Sequence, residues 1–145
     1  MLNFFAPRPG RFGIQPIVLQ QRLNTGTLAA GTQVHLIGAL GTNRKAVISN
    51  VSVAAEVFPT AATNCTVTLV KRDVSAAGNV TLSSAIDINA KTAETVQQGT
   101  LLTTLTDQQK TLDAGDTLKI SLVTTGAVSV QPDDLIVTVE LQLLS

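Results

Sequence analysis

The sequence predicts an all-β fold, an antiparallel β-sandwich of about eight strands preceded by an extended N-terminal arm, and three observations carry that prediction. The last third alternates with period two: Leu118, Ile120 and Leu122 oppose Thr117, Lys119 and Ser121, and Leu135, Val137, Val139, Leu141 and Leu143 oppose Ile136, Thr138, Glu140, Gln142 and Leu144. Alternation of this kind marks half-buried strands. Upstream, short apolar runs separated by turn residues recur at the spacing of a sandwich. Residues 1–18 have a different composition, with three of the four Phe, three of the five Pro, Gly10, Gly13 and two Arg.

Taken in order, residues 1–18 form the first unit and residues 19–145 the sandwich domain. Proline at the density of Pro7, Pro9 and Pro16 excludes helix and central strand, because it lacks an amide hydrogen and holds its predecessor extended. Stretched out, such an arm reaches about 60 Å. Asn24-Thr25-Gly26 is a turn signal, and a strand is expected from Thr32 to Ile37. There His35 falls opposite Val34 and Leu36, with that apolar pair inward and Ile37 outward.

Lys45 to Phe58 is the longest strand candidate, with Val47, Val51, Val53, Ala55 and Val57 on one face and a bulge signal at Ser49-Asn50. Pro59 stops it. Asn64 to Arg72 follows with Cys65, Val67 and Leu69 inward, then Val80, Leu82, Ile86 and Ile88 share parity across a break at Ser83-Ser84. Lys91 to Gln98 is expected as loop or a single turn, Leu101 to Leu105 as a short strand, and Asp107 to Asp116 as a polar crossover whose Gly115 accepts positive φ.

A single chain of 145 residues suits one domain and should bury roughly 70% of its unfolded surface. Charged residues make up 14% and aromatics 3%, with no Trp or Tyr, so the surface is built from Thr, Ser, Asn and Gln. Such a surface fits coverage by copies of itself or by a large partner, as it fits a plain Thr-rich β domain. Residues 1–55 carry five basic groups and no acid, and residues 56–145 carry five basic and ten acidic groups, so the two parts hold +5 and −5. The basic groups are not clustered as a nucleic-acid site requires, and no apolar run has membrane-spanning length. The N-terminus lacks the basic start and apolar run of a signal peptide, so synthesis and use without standard secretion are expected.

No catalytic constellation is present. Asp113 with Asp116, and Asp133 with Asp134, sit in turns where Asp bonds nearby amides. Cys65 has the parity of a small buried hydrophobe, and His35 has no second ligand at metal spacing. A calcium site between the acidic turns lacks the alternating oxygen pattern of a dedicated loop. The triplets at Asn50, Asn64 and Asn79 match a glycosylation pattern by the frequency of Ser and Thr. The protein is therefore expected not to be an enzyme and to use no cofactor and no metal. Outward apolar positions at Ile37, Val70, Val123, Ile136 and Leu144 point to a subunit interface and a homo-oligomer.

The Pro- and Phe-containing arm, followed by a Thr/Val-rich domain ending Leu112-Asp113-Ala114-Gly115-Asp116-Thr117-Leu118-Lys119-Ile120 and then Leu135 to Leu143, resembles the small trimeric jelly-roll decoration, or cement, proteins of tailed-bacteriophage heads. The resemblance covers the whole chain in layout and composition. It implies a jelly-roll-like sandwich, a homotrimer at a local threefold position, and the major capsid protein as partner, with no nucleic acid and no membrane. It further implies that the arm grips the shell through Phe4, Phe5, Arg8, Arg11 and Phe12, and that the protein, made in the host cytoplasm, ends on the capsid exterior of the virion. The alternative from a different class is a carbohydrate-binding or adhesive β-sandwich, such as a head or tail fibre component, against which the lack of Trp and Tyr counts.

Overall fold

A computed structural model describes residues 14–39, 44–76 and 78–144. In chain order the elements begin with β1 (Ile14–Arg22), β2 (Gly31–Ala39), β3 (Lys45–Ala54), β4 (Thr60–Ala61), β5 (Asn64–Asp73), β6 (Gly78–Thr81) and β7 (Ile86–Asp87). They continue with β8 (Val96–Gln98), α1 (Asp107–Lys110), β9 (Thr111–Leu112), β10 (Thr117–Thr125), β11 (Val128–Val130) and β12 (Ile136–Leu144). The first sheet has the order β1-β12-β3-β8, with β9 also on β3; the second has the order β2-β10-β5-β6, with β7 also on β5; β4 and β11 make a small ribbon. Because β6 and β7 share one partner and β8 and β9 another, the strands reduce to eight positions, four in each sheet, and the chain changes sheet at every step except from β5 to β6. This is the interleaving of a jelly roll, and the expected all-β sandwich is what forms.

Period-two sequence produces the core directly. Leu118, Ile120 and Leu122 of β10, Val137, Val139 and Leu141 of β12, and Cys65, Val67 and Leu69 of β5 are buried in one cluster, together with Leu82, Ile86 and Ile88. The long central strands β10 and β12 supply most of the pairing, each hydrogen-bonded on both sides. β1 begins at Ile14, inside the stretch expected to be arm, and pairs along its whole length with β12. Pro16 is tolerated there because β1 lies at a sheet edge, where a missing amide leaves no ladder partner unmatched.

The bulge signal in β3 is real and changes the phase of the strand. The register slips where Glu140 faces Asn50 and Leu141 faces Ile48, and the Ser49 hydroxyl donates to the Glu140 carbonyl at 3.1 Å. Ala46 and Ile48 therefore point inward ahead of the bulge, and Val51 and Val53 after it, whereas Val47 is only half-buried and Val57 is exposed. Gly99 closes the same region: its amide donates to the Val51 carbonyl at 2.8 Å, and a Cβ there would lie 2.6 Å from a Val51 methyl and 2.7 Å from an Ile86 methyl. Only glycine lets the backbone come this close to the core.

Three further segments differ from expectation. Val96–Gln98, in the stretch expected as loop or a single turn, forms β8 and pairs with β3. The polar crossover contains α1, whose N-cap Thr106 accepts from the Gln109 amide while the Gln109 side chain accepts from the Thr106 amide. That reciprocal capping box stabilises a turn too short to show helical periodicity. Leu101 makes only a single bridge to Ser83 and forms no strand. Gly115 has φ +90, as its turn requires.

Candidate functional site

The outward positions of the two sheets form two candidate surfaces. On the second sheet the register sets Leu36, Lys119 and Val70 in one row across β2, β10 and β5, Val34, Ser121 and Thr68 in the next, and Thr32, Val123 and Thr66 in the third. Leu36 and Val34 are 64% and 62% exposed. A depression of about 280 Å³ lies among Val34, Val70, Lys119 and Ser121. On the first sheet Val18, Glu140 and Asn50 form one row, Gln20, Thr138, Ser52 and Gln98 another, and Arg22, Ile136, Ala54 and Val96 a third.

The sequence-expected interface positions divide between these faces. Val70 is half-buried and Val123 exposed on the second sheet; Ile136 is half-buried and Leu144 exposed on the first. Ile37 does not face outward. The register slips between Leu118, opposite Gly38, and Lys119, opposite Leu36, which leaves Ile37 as the extra residue of a bulge, half-buried against the core. The structure thus reverses the facing of β2: His35 and Gln33 lie opposite the buried Ile120 and Leu122, while Val34 and Leu36 face out. An edge strand allows this, since the inner rim is only half-covered and polar tips can find partners. His35 Nε2 lies 3.2 Å from Gln33 Oε1, and Gln33 Nε2 donates to the Thr25 carbonyl at 3.1 Å. Burial lowers the His35 pKa below its ordinary 6.5. Phe4, Phe5, Arg8, Arg11 and Phe12 lie outside the described residues.

The most concentrated chemistry is buried. Continuing the inward parity of β5, Lys71 is fully enclosed, with Nζ donating to the carbonyls of Thr111 at 2.9 Å and Gln108 at 3.3 Å and pairing with Asp73 at 3.3 Å and Asp116 at 3.6 Å. Asp116 accepts from the amides of Val74 at 2.9 Å and Asp113 at 3.0 Å. Asp116 is thus more than the turn residue expected from sequence: it ties the β5 end to the β10 start around a buried cation. Every one of these contacts ties one loop or strand end to another.

Asp73 is held at about 2, below the ordinary 3.8, chiefly by the Ser75 hydroxyl at 2.6 Å, then by the Ala76 amide at 3.0 Å, with Lys71 adding to the effect. A carboxyl with a depressed folded value binds its proton more readily unfolded, so its contribution is complete above the ordinary value and is lost as pH falls toward 2. Thermal unfolding followed by circular dichroism is expected to show falling stability across that acid window. Ser75→Ala should be less stable at neutral pH and lose less on acidification.

At one end of the sandwich a cleft of about 450 Å³ is lined by Arg22, Asn24, Thr25, Asp133 and Asp134 among others. Arg22 pairs with Asp134 at 2.6 Å and lies 3.9 Å from Asp133, so both carboxylates of this cleft face one guanidinium. Cys65 is buried, its thiol pushed up chiefly by that burial, with Sγ 3.5 Å from the Thr124 hydroxyl. It behaves as the small hydrophobe its parity implied. Among the described residues no group of three His, Cys, Asp or Glu is arranged to hold a metal ion.

No family model and no curated protein matches the chain. Two solved structures resemble it. A chain from the capsid of Ralstonia phage GP4 is 14% identical with a TM-score of 0.52, the match covering 96% of this chain and 89% of that one. A chain from the Cyanophage Pam1 capsid asymmetric unit is 22% identical with a TM-score of 0.49, covering 96% and 90%. At such identity the likeness to the Ralstonia phage chain is one of fold.

Proposed function

We propose that this protein is a structural component of a phage virion that decorates and stabilises the capsid, binding the major capsid protein lattice as a homotrimer on the shell exterior, with its N-terminal segment as the grip. The observation that carries this reading is the jelly-roll likeness over 96% of the chain to a chain from a phage capsid. The wide, charge-poor outer faces, with exposed Val34, Leu36, Val123 and Leu144, suit burial against neighbouring subunits. The chemistry is mechanical rather than enzymatic. A protein that binds only the assembled lattice stabilises it by linkage, without any reaction. No role for nucleic acid, membrane or cofactor enters.

The test has two parts. Light scattering of the full chain should give a mass near three times 15.1 kDa. Shells assembled from the major capsid protein of the parent phage should then sediment with the protein and resist disruption better with it than without. A monomer that ignores shells overturns the reading.

A further inference from the structure

The charged side chains of the described residues are sorted along the strand axis, from one end of the sandwich to the other. β1, β3 and β10 start at the same end: Ile14 and Lys45 both lie opposite Leu144, β9 pairs with the start of β3, and Lys45 reaches Asp113, just ahead of β10, at 3.1 Å. At this end Lys45 pairs with Asp113, Lys110 with Asp107, and Lys71 with Asp73 and Asp116. That leaves Arg44, ahead of β3, Arg72, opposite Thr117, and Lys119 without an ion-pair partner among the described residues. At the opposite end Lys91 pairs with Asp87, and Arg22 with Asp134 and Asp133, which leaves Glu56 and Glu94. Those two line a shallow depression past the end of β3 with Asp134. Glu140, midway along β12, is the one other unpaired charge among the described residues. One end is therefore cationic and the other anionic. Residues 1–13, with Arg8 and Arg11 and no acid, join β1 at the cationic end.

From this sorting we infer that the end bearing Arg44, Arg72 and Lys119 faces the shell and meets an acidic, carboxylate-bearing protein surface there, with Glu56 and Glu94 turned away from it. The inference rests on the shell binding proposed above and names the end that docks and the chemistry it meets. Docking by an end leaves the sides of the sandwich free for contacts between subunits. A ring whose axis follows the strands closes side by side and sets every cationic end, with its N-terminal segment, on one side. Charge placed this way fixes orientation and speeds encounter more than it adds to the hold, which stays with residues 1–13. A nucleic acid fits this end less well. The cations are dispersed over β3, β5 and β10 rather than set in a stripe, and Phe58, the aromatic residue among those described, is buried.

The experiment is co-sedimentation of the full-length chain with shells of the parent phage's major capsid protein, at low and at raised salt. Arg44 and Arg72 are both exposed. Arg44→Glu with Arg72→Glu in one chain should need at least about tenfold more protein for half-saturation at low salt, because like charges are brought together. The gap should narrow as salt screens them. Glutamine at both positions should give a smaller loss of the same kind, and Glu56→Gln with Glu94→Gln should bind as wild type. Unchanged mass and melting check that the variants fold and associate. Wild-type binding by the Arg44→Glu, Arg72→Glu chain at low salt would overturn the orientation while leaving decoration intact. A loss confined to the Glu56→Gln, Glu94→Gln chain would do the same, since the opposite end would then be the one engaged. Binding of a DNA duplex that the arginine changes abolish would assign the cationic end to nucleic acid and overturn the inference too. A wild-type chain that ignores shells would overturn both readings.

Discussion

Replacing Lys71 by methionine is expected to lower stability by about 3–5 kcal/mol, the cost of leaving a buried charge without its partner. Methionine fills much of the same volume, so the loss isolates the ammonium. Two carboxylates, Asp73 and Asp116, would then face each other's charge without the cation between them, and the carbonyls of Gln108 and Thr111 would lose their donor. Denaturant unfolding measures the loss. Adding Asp116→Asn to the methionine variant should recover part of it, since an unpaired amide costs less to bury than an unpaired carboxylate. The same change in the wild type should only destabilise. Opposite signs in the two backgrounds are what a coupled cluster produces, and equal losses would show that Lys71 and Asp116 act independently.

Removing residues 1–13 is expected to leave a folded, self-associating protein that has lost its hold on shells. The position of the cut follows from β1. Deletion as far as residue 18 would take away half of a nine-residue strand and expose the β12 edge it covers. A cut before Ile14 leaves the whole β1–β12 ladder in place. If three linked arms carry attachment, their combined hold exceeds that of one arm by on the order of 100-fold or more, and all of it goes with the segment. Co-sedimentation with shells at fixed protein concentration reads this directly. Full binding by the shortened chain would shift attachment onto the sheet faces and away from Phe4, Phe5, Arg8, Arg11 and Phe12.

Much of the fold is legible in the sequence because strands β5, β10 and β12 keep strict alternation, and alternation reports which side chains leave water. Leu118, Ile120, Leu122, Val137 and Val139 are all where their parity places them. Legibility fails where the period is broken or where hydropathy and position disagree. In β3 the bulge is signalled by Ser49-Asn50, but which half of the strand changes face depends on its pairing with β12. In β2 the apolar pair Val34 and Leu36 has the hydropathy of an inward face, yet pairing with β10 sends it out and takes His35 in. The candidate surface was therefore only partly visible: Val70 and Val123 follow from parity, while Val34, Leu36 and the placement of Lys119 between aliphatic neighbours require the register of three strands. Lys71 was within reach. It continues the inward series Cys65, Val67, Leu69, and a charge on an inward parity, with Asp73 two residues on, marks a buried pair.

The placement of β12 has a kinetic consequence. The strand made last among the described elements lies in the middle of the first sheet, between β1 and β3, and pairs residues as far apart as Ile14 and Leu144. Neither β1 nor β3 can acquire this neighbour until residues 136–144 exist, so the sheet cannot grow strand by strand behind synthesis. Until then two apolar strand faces and their unpaired edges wait together. Pairings of such sequence separation close slowly, in the millisecond-to-second range of all-β sandwiches, and the waiting edges are open to pairing between chains. Refolding yield should accordingly fall with protein concentration long before native stability does, because the vulnerable species is the chain that has not yet received its last strand.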